Sequence, residues 1–81
     1  MKAIYNSSVQ TAAGWRSVEI LADVEKISDK RVKVLAVIKI DGEIPSSNQS
    51  RTGAKRQQFN GNYFANEQVG KIKNISSITI L

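Results

Sequence analysis

Two stretches of strict alternation constrain this chain more than any other feature. From Val18 the even positions are Val18, Ile20, Ala22 and Val24, and the odd ones are Glu19, Leu21, Asp23 and Glu25. From Val32 the even positions are Val32, Val34, Ala36, Ile38 and Ile40, set against Arg31, Lys33, Leu35, Val37 and Lys39. Successive side chains on a strand point to opposite faces. A period of two in residues so often β-branched therefore specifies half-buried strands. Ser28-Asp29-Lys30 carries turn chemistry between them, which makes the pair a hairpin.

The same pattern predicts a register. Both even sets must face one core, so paired residue numbers add to an even total. A three-residue loop at 28–30 pairs Ile27 with Arg31, and places Val24–Val34, Ala22–Ala36, Ile20–Ile38 and Val18–Ile40 inside. On the outer face it sets Glu25 opposite Lys33 and Glu19 opposite Lys39, pairs worth about 0.2–1 kcal/mol each. It also gathers Leu21, Leu35 and Val37 on that outer face. Three clustered aliphatics there call for a cover, and a second copy of this chain, giving a homodimer, is one candidate.

The remaining elements follow from weaker signals. Ala3–Thr11 reads as a strand in which Ile4, Tyr5 and Val9 do not settle on one parity, and Ala12-Ala13-Gly14 turns the chain into Trp15, expected to pack on the sheet. Asp41-Gly42-Glu43 ends the third strand, and Pro45 forbids its interior continuation. Near the end, Lys71-Ile72-Lys73-Asn74 and Ser77-Ile78-Thr79-Ile80 alternate in one phase. Ile75 falls off it, which predicts a bend near Asn74–Ser76. Between Ser46 and Gly70 a structureless connection would be unusually long, so a short helix is expected at Tyr63–Val69, with Asn62 as cap and Gly70 just beyond its end. Ala54–Phe59 is the other stretch there with room for a turn or two of helix. The expected fold is a single domain over residues 1–81, mainly β (α+β). It is a small antiparallel four- to five-stranded sheet, a β-meander over 2–43 plus a C-terminal strand, with one short helix between the third and last strands.

Composition narrows the chemistry. The 81 residues include no histidine and no cysteine. A Ser-His-Asp triad, a Cys-His dyad and a Cys/His zinc site are therefore excluded. Arg51-Thr52-Gly53-Ala54-Lys55-Arg56 resembles a phosphate loop only superficially, because Ala54 separates Gly53 from Lys55 and the companion glycine is missing. Glu19, Asp23 and Glu25 read as an ordinary solvated strand face. No enzyme activity, catalytic residue, metal or cofactor is expected. No stretch reaches the length of a signal peptide or a membrane span, so the expected compartment is the cytoplasm and no membrane partner is expected.

The charge of +5 is unevenly placed. Residues 1–43 hold seven Lys/Arg and six Asp/Glu, whereas residues 44–81 hold five Lys/Arg and only Glu67. That second half also contains Phe59, Tyr63 and Phe64. Basic groups attract phosphate and release counterions, and flat aromatics stack on unpaired bases. Arg51, Lys55, Arg56, Tyr63, Lys71 and Lys73 are accordingly the candidate nucleic-acid or anion-binding residues. Phe59 and Phe64 are weighed chiefly as core. The leading expectation is a small non-enzymatic basic protein that contacts nucleic acid, single-stranded or within a nucleoprotein complex, through the 51–73 segment. The alternative is a protein-binding adaptor or inhibitor that docks on an acidic surface of a larger host complex. In size and type it would be similar to phage and mobile-element accessory proteins such as anti-CRISPR inhibitors.

Overall fold

A computed structural model describes residues 1–11, 14–50 and 58–81. Among these residues seven strands and one α-helix run in the order β1 (Lys2–Thr11), β2 (Gly14–Ser28), β3 (Arg31–Ile40), β4 (Gln49–Ser50), β5 (Gln58–Phe59), α1 (Gly61–Gln68), β6 (Ile72–Asn74) and β7 (Thr79–Ile80). A 3-10 turn at Ile75–Ser77 separates the last two strands, at the predicted bend. Five strands form one antiparallel sheet in the order β6-β3-β2-β1-β7, and β4 pairs β5 in a separate two-stranded ribbon. The expected mainly β sheet with one short helix after the third strand is therefore present.

β1 and β2 pair without interruption from Lys2↔Asp23 to Thr11↔Gly14. That register places odd residues of β1 on the same face as even residues of β2. Ala3, Tyr5, Val9 and Thr11 accordingly join Val18, Ile20, Ala22 and Val24 in the interior. The parity of β1 is thus regular, and Ile4 is simply outward and half-buried.

The β2–β3 register departs from the prediction. Val24↔Val34 and Glu25↔Lys33 pair as expected, but Ala22 faces Val37, Ile20 faces Ile40, and Leu21 faces Lys39. Leu35 and Ile38 are extra residues on β3, and Ile27 is extra on β2, so that Ser28 meets Arg31 across a two-residue turn. The run Leu35-Ala36-Val37-Ile38 is apolar in both phases, so alternation cannot pin the register there. Each bulge shifts the phase by one, and the inward set becomes Val34, Val37 and Ile40, three residues apart. Ala36 is exposed, and Val37 packs against the core. Bulges also increase local twist, which this sheet needs. Glu19 does not face Lys39. Its backbone exchanges bonds with Asp41 instead: Glu19 N donates to Asp41 Oδ1 at 2.8 Å, and Asp41 N donates to Glu19 O at 2.8 Å. Asp41 (φ 50°) and Gly42 (φ 80°) form the positive-φ pair of a tight reversal after β3, closed by Ile40 and Glu43.

The two C-terminal strands lie on opposite edges of the sheet, β6 against β3 and β7 against β1. Only residues 75–78 join them. With three of these wound as 3-10 turn, the connector spans about 14 Å. Five strands laid flat would separate the edges by about 19 Å. The sheet therefore curls toward a barrel, and Ile75 and Ile78 of the connector pack against the core.

α1 covers another part of this interior. Gly61, Phe64 and Gln68 form its buried stripe. The helix begins two residues before the predicted start because Asn60, rather than Asn62, is the cap, its Oδ1 accepting from Tyr63 N at 3.0 Å. Gly70 follows the helix at φ 88°, as its expected position beyond the end requires. Gln58–Phe59 is strand rather than helix, and residues 54–57 of that expected helical stretch lie outside the described residues. Gly61 is fixed by space rather than φ. An added Cβ would collide with Gln49 Oε1 and stand 2.9 Å from Ser46 O. Gln49 cannot yield easily, since its buried amide donates to Ile40 O at 2.7 Å.

Candidate nucleic-acid interface

Of the predicted site residues, Tyr63, Lys71 and Lys73 are among the described residues, on α1, in the link after it and on β6 respectively. Arg51, Lys55 and Arg56 lie outside the described residues. Lys73 turns inward: its register partner is Val32, and its Nζ lies 4.7 Å from the centre of the Tyr5 ring. Burial, reinforced by the charge of Lys71, lowers the Lys73 pKa from its ordinary value. An ammonium held over a ring face is a structural cation–π contact, so Lys73 does not extend a surface track. Lys71 is exposed but precedes β6, in the link from α1, where its carbonyl accepts from Val34 N at 2.9 Å.

The outer aliphatic cluster does not assemble either. The bulges carry Val37 to the core side, leave Leu21 half-buried opposite Lys39, and leave Leu35 43% exposed on its own. The predicted Leu21/Leu35/Val37 interface rested on an unbulged ladder, and without that ladder it has no basis.

Tyr63 emerges as the centre of a different arrangement. It is 65% exposed on the outward side of α1, and it borders a cleft of about 330 Å³ with Ser8, Val9, Gln10, Trp15, Phe59, Asn60, Phe64 and Glu67. Phe59 and Phe64 form the buried base, edge-to-face with ring centres 6.0 Å apart. Trp15 stands 71% exposed rather than packed on the sheet. The reason was present in the sequence: carrying the β2 alternation back from Val18 puts Trp15 on the outward phase and Arg16 on the inward one. Trp15 faces Gln10 across the ladder, and Arg16 faces Val9. The buried Nε of Arg16 has no hydrogen-bond partner among the described residues.

The electrostatics of the cleft differ from those of the chain. Glu67, the sole acid after Ile44, is one of its lining residues. It stands one helical turn from Tyr63, whose phenol pKa is raised, chiefly by its hydrogen bond to Glu67 and then by the negative charge there. The cleft thus combines a flat aromatic surface with one acceptor-only group, amides from Gln10 and Asn60, and the Ser8 hydroxyl.

α1 is anchored from behind by a buried contact. Tyr5 Oη donates to Gln68 Oε1 at 2.9 Å, and burial pushes the Tyr5 pKa to about 12. The cleft also lies along a partly unpaired sheet edge. β7 pairs β1 only at Ala3 and Ile4, and Lys2 O accepts from Leu81 N on that side. Alternation then directs the backbone N–H and C=O groups of Asn6, Ser8 and Gln10 to the same edge, with no strand partner among the described residues.

Among the described residues no helix is long and apolar enough to cross a membrane, and no group of three or more His, Cys, Asp or Glu is placed to hold a metal. Comparison with protein families, with curated proteins and with solved structures gives no match for this chain.

Proposed function

We propose that this chain is a small non-enzymatic protein of the cytoplasm that binds single-stranded nucleic acid. Trp15 and Tyr63 are its stacking surfaces. The observation that carries the reading is the exposure of these two aromatics on one cleft of a chain with net charge +5 and pI near 9.8. Large exposed aromatics are costly in water, and they are the groups on which unpaired bases stack, at about 1–3 kcal/mol per base. The basic second half supplies the long-range attraction for a polyanion. Arg51, Lys55 and Arg56 are assigned to phosphate on sequence grounds alone.

An electrophoretic shift assay on a single-stranded nonamer tests this. Binding should weaken as salt rises, with a logarithmic slope of about −2 to −3.5 if three to five phosphates are contacted. Trp15→Ala should weaken binding by roughly 5- to 150-fold, the equivalent of one lost stack. Absence of binding at low salt to both DNA and RNA strands would reject the reading.

A second reading, a protein-binding adaptor, is favoured by one separate observation, the outward edge of β1 at Asn6, Ser8 and Gln10. Such an edge can accept an added strand from a partner. Ser8→Pro removes one outward donor at a position an edge strand tolerates. Loss of a protein partner with this variant, while nucleic-acid binding persists, would support the adaptor reading.

A further inference from the structure

We infer that the Trp15/Tyr63 cleft takes an unpaired guanine, its face on the aromatic surface and its Watson–Crick edge on the carboxylate of Glu67. This rests on the single-strand reading above and adds to it a base preference.

The cleft and the chain around it differ in charge. The chain is basic, yet Glu67 is the only carboxylate among the residues that line the cleft. Among the described lining residues Glu67 carries the one charge, so a phosphate drawn to the basic protein is disfavoured against that carboxylate. A strand that satisfies both conditions keeps its backbone outside and turns a base inward. An ionised carboxylate only accepts hydrogen bonds, so the base must bring donors. Thymine and uracil offer one N–H between two carbonyls, whose oxygens oppose the carboxylate. Adenine and cytosine offer one amine beside a ring nitrogen that is itself an acceptor. Guanine alone presents two adjacent donors, N1–H and the 2-amino group, in the paired geometry a carboxylate receives best.

The setting suits that role. Tyr63, four residues before Glu67 on the same helix, lines the same cleft, so the ring and the carboxylate sit on one face of α1. A volume of about 330 Å³ is at the small end of ligand sites and accommodates one base rather than a duplex. An arginine side chain carries a similar pair of donors, but an arginine-bearing peptide is repelled by a chain of charge +5.

The test uses end-labelled nonamers of thymidine with one central base, guanine, hypoxanthine, adenine, cytosine or thymine, and reads affinity by fluorescence anisotropy. Guanine should bind about tenfold or more tightly than thymine, the equivalent of one charge-assisted hydrogen bond. Hypoxanthine, which keeps N1–H and lacks the 2-amino group, should fall between them. Glu67→Ala, an exposed substitution whose folding circular dichroism verifies, should reduce the guanine-to-thymine ratio to below about twofold. Equal, salt-sensitive binding of all nonamers would overturn the guanine assignment and leave the single-strand reading standing. No binding of any nonamer would overturn both. Displacement of the guanine nonamer by an amidated Gly-Arg-Gly peptide at lower concentration than by guanosine would overturn it in favour of a protein side chain.

Discussion

Replacing Tyr5 by phenylalanine isolates the contact that holds α1, and with it Tyr63 and Glu67, against the sheet. Tyr5 is 4% and Gln68 1% exposed, and their hydrogen bond of 2.9 Å is fully sequestered from water. Tyr5→Phe keeps the ring, and so the cation–π contact with Lys73, while deleting only the hydroxyl. The loss is the net bond plus the desolvation of a stranded Gln68 acceptor, together about 1–3 kcal/mol. For a domain of this size each kcal/mol lowers Tm by about 4–8 °C, so a fall of about 8–16 °C corresponds to the middle of that range. Urea denaturation followed by circular dichroism should show a lower midpoint with an unchanged slope. The double variant Tyr5→Phe/Gln68→Met replaces both partners with groups of similar shape and should recover most of the loss. A change under about 0.5 kcal/mol for Tyr5→Phe, or a double variant no better than the single, would refute this account of how α1 is anchored.

Further perturbations separate other parts of the account. Gly61→Ala should destabilise by about 1–3 kcal/mol through crowding against Gln49 and Ser46, and a neutral thermal melt would contradict the close approach. Leu35→Glu should leave the unfolding free energy from urea denaturation within about 0.5 kcal/mol of the parent, whereas Val37→Asp should cost several times more, since only Val37 meets the core. The reverse order would restore the unbulged ladder. Absorbance at 295 nm should show Tyr5 ionising near pH 12 instead of 10, with the late step absent in Tyr5→Phe. Because the unfolded chain loses that proton first, this group's contribution to stability is complete below pH 10 and declines as pH rises toward 12.

The long hairpin and the helix were legible in the sequence for the same reason: a residue pattern repeated often enough to exclude other readings. Val18–Val24 alternates cleanly and lies in the sheet as expected, and the Asn60–Gly70 interval carries a cap at one end and a glycine at the other. Elsewhere the pattern is degenerate. Leu35-Ala36-Val37-Ile38 is apolar in both phases, so bulges that bring Val37 inward cost no buried charge, and the ladder prediction broke there along with the interface built on it. A charged residue on an alternating strand reads as outward, yet Lys73 turns in. Tyr5, some 68 positions earlier in the chain, supplies the ring that lets its ammonium turn in. The cleft was half visible. Tyr63 was expected to face solvent, but Trp15, Gln10 and Glu67 meet it only through pairing of β1 with β2 and docking of α1, which no local pattern encodes.

Trp15 is the only tryptophan in the chain and lines the cleft, so its own fluorescence reports occupancy without a label. Titration with a single-stranded nonamer at low salt should quench it in a saturable way. Raising the salt should shift the midpoint to higher concentration, and Tyr63→Ala should weaken the transition. A nonamer that binds the protein by gel shift while leaving Trp15 emission unchanged, in both intensity and wavelength, would contradict the placement of nucleic acid at this cleft.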